Sequence, residues 1–185
     1  MEPMLARLRA RTANNLLPGD IRDGRILDIG CGSYPYFLSH TYFKEKYAID
    51  QFRKPKTAEN INWHSLDLNR LPELPFQESY FNAVTMLAVA EHLDPAILVK
   101  LLMEIHRILS PKGILIITTP AAWSDPLLKT MARLRLVSQE EIDDHVFVYT
   151  LPLLGWYFGR AGFNMNNLDF GYFEFGLNMW ATAIR

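Results

Sequence analysis

Short and almost continuously apolar stretches recur along the chain up to residue 119. They lie at residues 25–29, 46–50, 81–89 and 113–119, with a weaker one at residues 61–66. Uninterrupted runs rich in Ile and Val are typical of strands that are buried on both faces, as in a parallel sheet. The pattern therefore predicts five parallel strands.

Helical periodicity fills the gaps between these strands. Its clearest instance starts at Asp94, a favourable N-cap, with Pro95 in the first helical position, where the missing N–H costs nothing. Apolar residues then form one stripe up to residue 109, and the sequence SPKG at residues 110–113 is expected to end the helix. Weaker helices are predicted at residues 3–17 and 151–161. A helix of this length suits a crossover between parallel strands.

Two further strands are predicted near the end of the chain, at residues 163–170 and 173–184, joined by Gly171 and Tyr172. So short a connection requires an antiparallel pair, because parallel strands need a long crossover. The predicted fold is an α/β protein with a mostly parallel sheet, an antiparallel hairpin at one edge, and helices on both faces.

Composition narrows the class of protein. The chain has 185 residues, which we interpret as one domain (1–185), and 49% of them are apolar. Its net charge of −1 gives no basic surplus for neutralising nucleic-acid phosphates. Cys31 is the one cysteine, and we see neither a secretion signal nor an apolar run of membrane-spanning length. We expect a reduced, cytoplasmic protein without stable membrane insertion.

A glycine turn follows the first strand directly. Gly30 and Gly32 allow positive φ angles and a close approach of a ligand to the backbone. The dinucleotide pattern G-x-G-x-x-G fails, since Pro35 stands in its sixth position. Asp28 places a carboxylate just before the turn, which suits a ligand with an ammonium group, either directly or through water, better than a pyrophosphate.

Two more acids follow the next two strands. Asp50 ends the second strand, where its carboxylate could accept hydrogen bonds from a ribose diol. Asp67 follows the third strand and could accept a hydrogen bond from an adenine amino group. An amino-acid end, a ribose and an adenine occur together in S-adenosylmethionine.

With these residues in place, the sequence resembles the class I S-adenosylmethionine-dependent methyltransferases over nearly its whole length. The order and spacing of several short segments carry the resemblance: 26–32 (ILDIGCG), 47–50 (YAID), 74–76 (LPF), 81–84 (FNAV), 91–93 (EHL), 104–120 (EIHRILSPKGILIITTP) and 160–163 (RAGF). The resemblance implies a Rossmann-like sheet of seven strands, with S-adenosylmethionine as cofactor and S-adenosylhomocysteine as product. The chain departs from the family at Tyr34, where a third glycine is frequent, and at Asn82, where an acid is common.

The resemblance also implies the residues that hold the cofactor. They are Asp28, Gly30, Cys31, Gly32, Asp50, Gln51, Asp67 and Leu68, together with the backbone of Met86 and Leu87. Cys31 is interpreted as a small residue that fits the turn, because nothing near it in sequence marks it as an activated nucleophile.

The predicted reaction is in-line transfer of the sulfonium methyl group to an O, N or C nucleophile of a small molecule. A general base is needed only if the acceptor must lose a proton, and His92 and His145 are the candidates for a catalytic role. We expect no metal, because no magnesium-type cluster of carboxylates is evident. The competing interpretation is that each histidine only holds in place the loop that carries it.

Residues 120–148 form a longer connection than usual, which we interpret as a lid over the acceptor site, assisted by the N-terminal helix within residues 1–19. Helical padding of the sheet edge is the alternative. We expect no nucleic-acid partner, and a homodimer stays open. Two other functions remain: a dinucleotide-dependent oxidoreductase, and a catalytically silent relative that serves as a binding or scaffold protein.

Overall fold

A seven-stranded sheet forms the centre of the computed structural model, which describes residues 2–70, 73–124 and 147–185. Its strand order is β3-β2-β1-β4-β5-β7-β6; β1 to β5 are parallel, and β7 is antiparallel to both β5 and β6. The predicted α/β class and mixed sheet are confirmed. The strands are β1 Arg25–Ile29, β2 Glu45–Asp50, β3 Asn62–Ser65, β4 Phe81–Leu87, β5 Leu109–Pro120, β6 Leu168–Phe173 and β7 Asn178–Ile184.

Helices cover both faces of the sheet, because successive strand side chains point to opposite sides. The helices of the described residues are α1 Glu2–Leu16, α2 Tyr36–Ser39, α3 Pro95–Ile108 and α4 Leu151–Arg160. Ile26 and Ile116 pack with α1 and α2, whereas Leu27 and Ile117 pack with α3 and α4. Two separate hydrophobic cores result, and the sheet lies between them.

The start of α3 follows the prediction. The Asp94 side chain accepts a hydrogen bond from the Ala96 N–H (2.8 Å), and Pro95 begins the helix. The predicted terminator at residues 110–113 instead belongs to the irregular start of β5. Leu109 pairs with Phe81 before the register shifts, so the strand begins as soon as the helix ends.

The position of the C-terminal turn was predicted wrongly. Gly171 lies inside β6, paired with Trp180 of β7, and the connection is formed by residues 174–177. A Cβ atom on Gly171 would come within 2.5 Å of the Trp180 indole, so this glycine serves close packing between strands rather than a turn. Phe163, which we predicted at the start of β6, packs against His106 and Phe158 instead.

Most of the predicted lid lies outside the described residues. Ser124, at its start, donates a hydrogen bond from Oγ to the Leu177 carbonyl oxygen (2.9 Å). At its end, the Phe147 N–H donates to the Glu91 carbonyl oxygen (3.1 Å). Within the described ranges, no helix has both the length and the apolar character to cross a bilayer.

Candidate functional site

A cavity of about 740 Å³ opens at the carboxyl ends of the parallel strands, where the strand order reverses between β1 and β4. Parallel α/β sheets bind ligands at this point, and the volume lies within the usual range for small-molecule sites. The cavity is lined by α1, the turns after β1 and β2, the segment after β3, and the loop after β4.

The glycine turn brings the backbone to the cavity wall. Gly30 and Gly32 both have a φ of +71°, a conformation that favours glycine. A Cβ atom on Gly30 would come within 2.4 Å of the Val89 side chain, so this position also needs a glycine for packing. Nothing lies within 4 Å of the corresponding position at Gly32, which leaves that side of the turn open.

Asp50, at the end of β2, stabilises the turn from the neighbouring strand. Its Oδ2 atom accepts a hydrogen bond from the Gly32 N–H (2.7 Å), and its Oδ1 atom accepts one from the Phe52 N–H (3.1 Å). A carboxylate has about four acceptor positions, so roughly two remain for a ligand.

Asp28 is a buried carboxyl group at the end of β1, and its side chain borders the cavity. The Thr85 hydroxyl donates a hydrogen bond to its Oδ1 atom (2.6 Å). Burial raises the pKa of Asp28 to about 7, and the nearby Asp50 charge adds to the rise. A cation bound next to Asp28 would favour its charged form.

The remaining predicted cofactor residues lie around the same cavity, with the exception of Met86. Asp67 accepts a hydrogen bond from the Asn69 N–H (3.0 Å) and pairs with the Arg70 guanidinium at 3.2 Å. Met86, predicted to contribute its backbone, is not among the lining residues, and its side chain packs in the core of α3 and α4. The others that line the cavity are Gly30, Cys31, Gly32, Gln51, Leu68 and Leu87.

The charge of the lining separates the candidate ligands. Among the described residues around the cavity, four carry a carboxyl group and Arg9 alone carries a Lys or Arg charge. The four are Asp28, Asp50, Asp67 and Glu91. An acidic wall favours a cation such as a sulfonium with an ammonium group, and it disfavours the pyrophosphate of a dinucleotide. The residues present therefore fit S-adenosylmethionine.

Of the two candidate catalytic histidines, His92 lines the cavity, and His145 lies outside the described residues. Cys31 lines the cavity as well, but burial and the charges of Asp28 and Asp50 raise the pKa of its thiol. A thiol held in its protonated form is a poor nucleophile. In the part of the chain that the structure describes, no three His, Cys, Asp or Glu side chains gather in a way that could hold a metal ion.

Comparison with known sequences decides the family. The sequence family described as "Methyltransferase domain" matches residues 2–168. The chain belongs to this family. The predictions of a methyltransferase and of S-adenosylmethionine as its cofactor are thereby confirmed. No curated protein shows significant sequence similarity to this methyltransferase.

Solved structures share its fold at low sequence identity. An S-adenosylmethionine-dependent methyltransferase from Mesorhizobium loti is 16% identical, with a TM-score of 0.71, covering 98% of this chain and 100% of that one. The chain is 15% identical to a structure from Haloferax volcanii, a complex of the Trm112 methyltransferase activator with a methyltransferase. Its TM-score is 0.73, and the match covers 99% of this chain and 92% of that one. An S-adenosylmethionine-dependent methyltransferase from Thermotoga maritima is 16% identical, with a TM-score of 0.71, covering 98% of this chain and 91% of that one. At these identities the likeness shows the fold.

Sequence reasoning missed two charged residues at the methyltransferase cavity. Arg9 reaches it from α1, where its charge reads in the sequence as a solvated helix face. Glu91 follows β4 and is only 2% exposed. Its neighbour His92 is recognisable from the sequence because histidine is the most common general base, whereas the burial of Glu91 has no signature in the sequence.

Proposed function

We propose that this methyltransferase transfers the methyl group of S-adenosylmethionine to an O, N or C nucleophile of a small molecule by in-line displacement. The bound cofactor would supply an electrophilic methyl on a good leaving group. The observation that carries the proposal is the acidic cavity beside the glycine turn, at the switch point of the sheet. The protein must then chiefly align the acceptor and exclude water, and alignment can contribute about 7–11 kcal/mol in favourable cases.

The residues at the glycine turn would bind the cofactor. Asp28 would hold the ammonium group, directly or through water, and Asp50 would accept hydrogen bonds from the ribose with its remaining acceptor positions. Asp67 would accept from the adenine amino group, with Leu68 and Leu87 against the ring. The open space at Gly32 lets the ligand approach the backbone.

The small size of the acceptor is proposed from two features. The net charge of −1 offers no electrostatic attraction for a nucleic acid. The cavity of about 740 Å³ has room for the cofactor and a small acceptor together, and α1 forms one of its walls through Leu5, Ala6 and Arg9. We retain residues 120–148 as the proposed lid and His92 as a proposed group that orients or deprotonates the acceptor.

Calorimetric titration with S-adenosylmethionine, S-adenosylhomocysteine and NAD tests the cofactor site. The first two should bind, and Asp50→Ala should weaken their binding by about 1.5–3 kcal/mol, roughly ten- to a hundredfold, through lost hydrogen bonds to a charged group. Glu59→Gln, on the exposed surface, removes an equal charge and should change nothing. Binding of NAD alone would overturn the proposal, and cofactor binding without methyl transfer to any of a panel of acceptors would favour the silent relative.

A further inference from the structure

Unpaired buried polar atoms gather at one place in this protein. Among the described residues, six side chains have a buried nitrogen or oxygen without a hydrogen-bond partner. Each such atom opposes folding, and native proteins leave few of them. We call these residues the acceptor-side cluster: Arg9, Glu91, Thr119, Tyr149, Glu174 and Asn178.

The cluster is contiguous although its members are distant in sequence. Pro120 pairs with Asn178 and Ala121 forms a β-bridge with Tyr149, so Thr119, Tyr149 and Asn178 belong to neighbouring backbone segments. The Arg9 charge acts on both Glu91 and Glu174. Asn178 donates a hydrogen bond from its amide to Glu174, which leaves the other carboxylate oxygen of Glu174 unpaired. The cluster therefore forms one polar region at the carboxyl ends of β4 and β5 and the start of β7.

This region opens onto the cavity through Arg9 and Glu91, which both line it. Glu91 is 2% exposed, and its Oε2 atom is unpaired while its backbone carbonyl oxygen is bound by the Phe147 N–H. A buried carboxylate oxygen without a partner, on a residue that lines a ligand cavity, calls for an N–H or O–H group from a ligand or a water.

The chemistry of the unpaired atoms specifies what would complement them. Five are oxygens, and one is the Nε–H donor of Arg9. Two of the side chains are carboxylates, and Arg9 is the one guanidinium among them. Three of the oxygens, on Glu91, Glu174 and Asn178, can only accept a hydrogen bond, whereas the two hydroxyls can also donate one. The unpaired atoms therefore have more acceptor positions than donors, and two carboxyl groups face one guanidinium. An ammonium group brings three donors and one positive charge, whereas a hydroxyl brings one donor and a carboxylate brings none.

The environment of Glu91 suits proton transfer as well as binding. Burial raises the pKa of its carboxyl group, and the charges of Arg9 and His92 oppose that rise. The Thr119 hydroxyl also opposes the rise in this pKa, although it forms no hydrogen bond of normal geometry with the carboxyl group. A carboxyl group shifted toward neutral pH is an effective general base.

We propose that the methyl acceptor is a small amine, and that Glu91 binds its nitrogen and removes its proton. The inference rests on the proposed function of the cavity. Glu91 takes one proton from the bound ammonium, and the freed lone pair forms the N–CH₃ bond as the methyl–sulfur bond breaks. The sulfur keeps the electron pair of that bond. The product leaves as a methylated ammonium, and the proton on Glu91 passes to solvent.

Calorimetry on the full chain saturated with S-adenosylhomocysteine tests the acceptor class without any turnover. The probes are phenethylamine, 2-phenylethanol and 3-phenylpropanoate, which share a ring that can pack on apolar lining residues such as Leu5 and Leu93. We expect phenethylamine to bind at least tenfold more tightly than the alcohol or the acid. Tighter binding of either of those, or no amine binding at millimolar concentration, would overturn the inference.

Glu91→Gln supplies the second readout, because it keeps the shape of the side chain and removes its charge. It should weaken phenethylamine binding at least tenfold, lower kcat of methyl transfer at least a hundredfold, and leave S-adenosylmethionine binding within threefold. Glu59→Gln is the matched surface control. If Glu91→Gln does not fold, Glu174→Gln removes the other carboxylate of the cluster and should also weaken amine binding.

Unchanged amine binding in the folded variant would refute the role of Glu91. Titration of S-adenosylmethionine on the same samples separates the two proposals. A protein that does not bind S-adenosylmethionine contradicts the proposed function itself. One that binds it but prefers no amine contradicts only the acceptor inference.

Discussion

The two ends of the cavity differ in how their buried polar groups are paired. At the proposed cofactor end, the carboxyl groups of Asp28 and Asp50 accept hydrogen bonds from Thr85, Gly32 and Phe52. At the other end, each member of the acceptor-side cluster has an unpaired atom. The cofactor end is therefore preorganised within the fold, whereas the acceptor end has polar groups that only a ligand or a water could satisfy.

The largest expected effect concerns Asp28, whose pKa is raised strongly by burial. The pKa of Asp28 is raised from an ordinary 3.8 to about 7, so the folded protein holds this proton more tightly than the unfolded chain does. Its contribution to stability is therefore fully present below about pH 4 and is lost as the pH rises through 7. We expect the stability of the wild type relative to Asp28→Asn to fall by about 4 kcal/mol between pH 4 and pH 8.

Urea unfolding of both proteins without ligand, at several pH values, measures this difference. Subtracting the variant from the wild type cancels the other titrating groups, Glu91 included. Asp28→Asn should also bind S-adenosylmethionine more weakly at pH 8, because the charge that we propose to face the ammonium group is gone. A difference in stability that does not change with pH would mean that folding does not shift the pKa of Asp28.

The difference between the two ends also explains what could be predicted from the sequence. The cofactor end is built from strand ends and a glycine turn within a short stretch of chain, so acids and glycines at local spacing reveal it. The acceptor-side cluster joins Arg9 to Asn178, and only the tertiary structure brings them together. The misplaced turn at Gly171 has the same origin, since the Trp180 indole that requires this glycine belongs to another strand.

A second comparison lies within the glycine turn and should give intermediate effects. Gly30→Ala and Gly32→Ala both force a side chain into left-handed backbone, at about 1–2 kcal/mol each. Gly30→Ala also drives a Cβ atom against Val89, which adds about 1–3 kcal/mol for overpacking. We expect Gly30→Ala to be clearly the less stable variant in urea unfolding. Equal losses would show that Val89 moves aside without cost.

The smallest effects should come from two buried threonines on adjacent strands, one that contacts Asp28 and one in the acceptor-side cluster. Thr85 is fully buried and donates a hydrogen bond to Asp28, whereas Thr119 is 1% exposed and its hydroxyl is unpaired. Thr85→Val should destabilise the protein by about 1.5–3 kcal/mol, the range for a hydrogen bond to a charged group. Thr119→Val should stabilise the ligand-free protein by about 1 kcal/mol, since it removes a buried hydroxyl that has no partner.

Urea unfolding at pH 8, where Asp28 is mostly ionised, gives both values under the same conditions. The two substitutions exchange the same atoms in strands β4 and β5, so the opposite signs isolate the pairing of the hydroxyl. A loss of stability in both variants would mean that Thr119 already has a partner in the ligand-free protein, such as a buried water. The buried polar groups at the cofactor end would then be hydrogen-bonded to protein atoms, and those at the acceptor end to water. The acceptor would have to displace that water in order to bind.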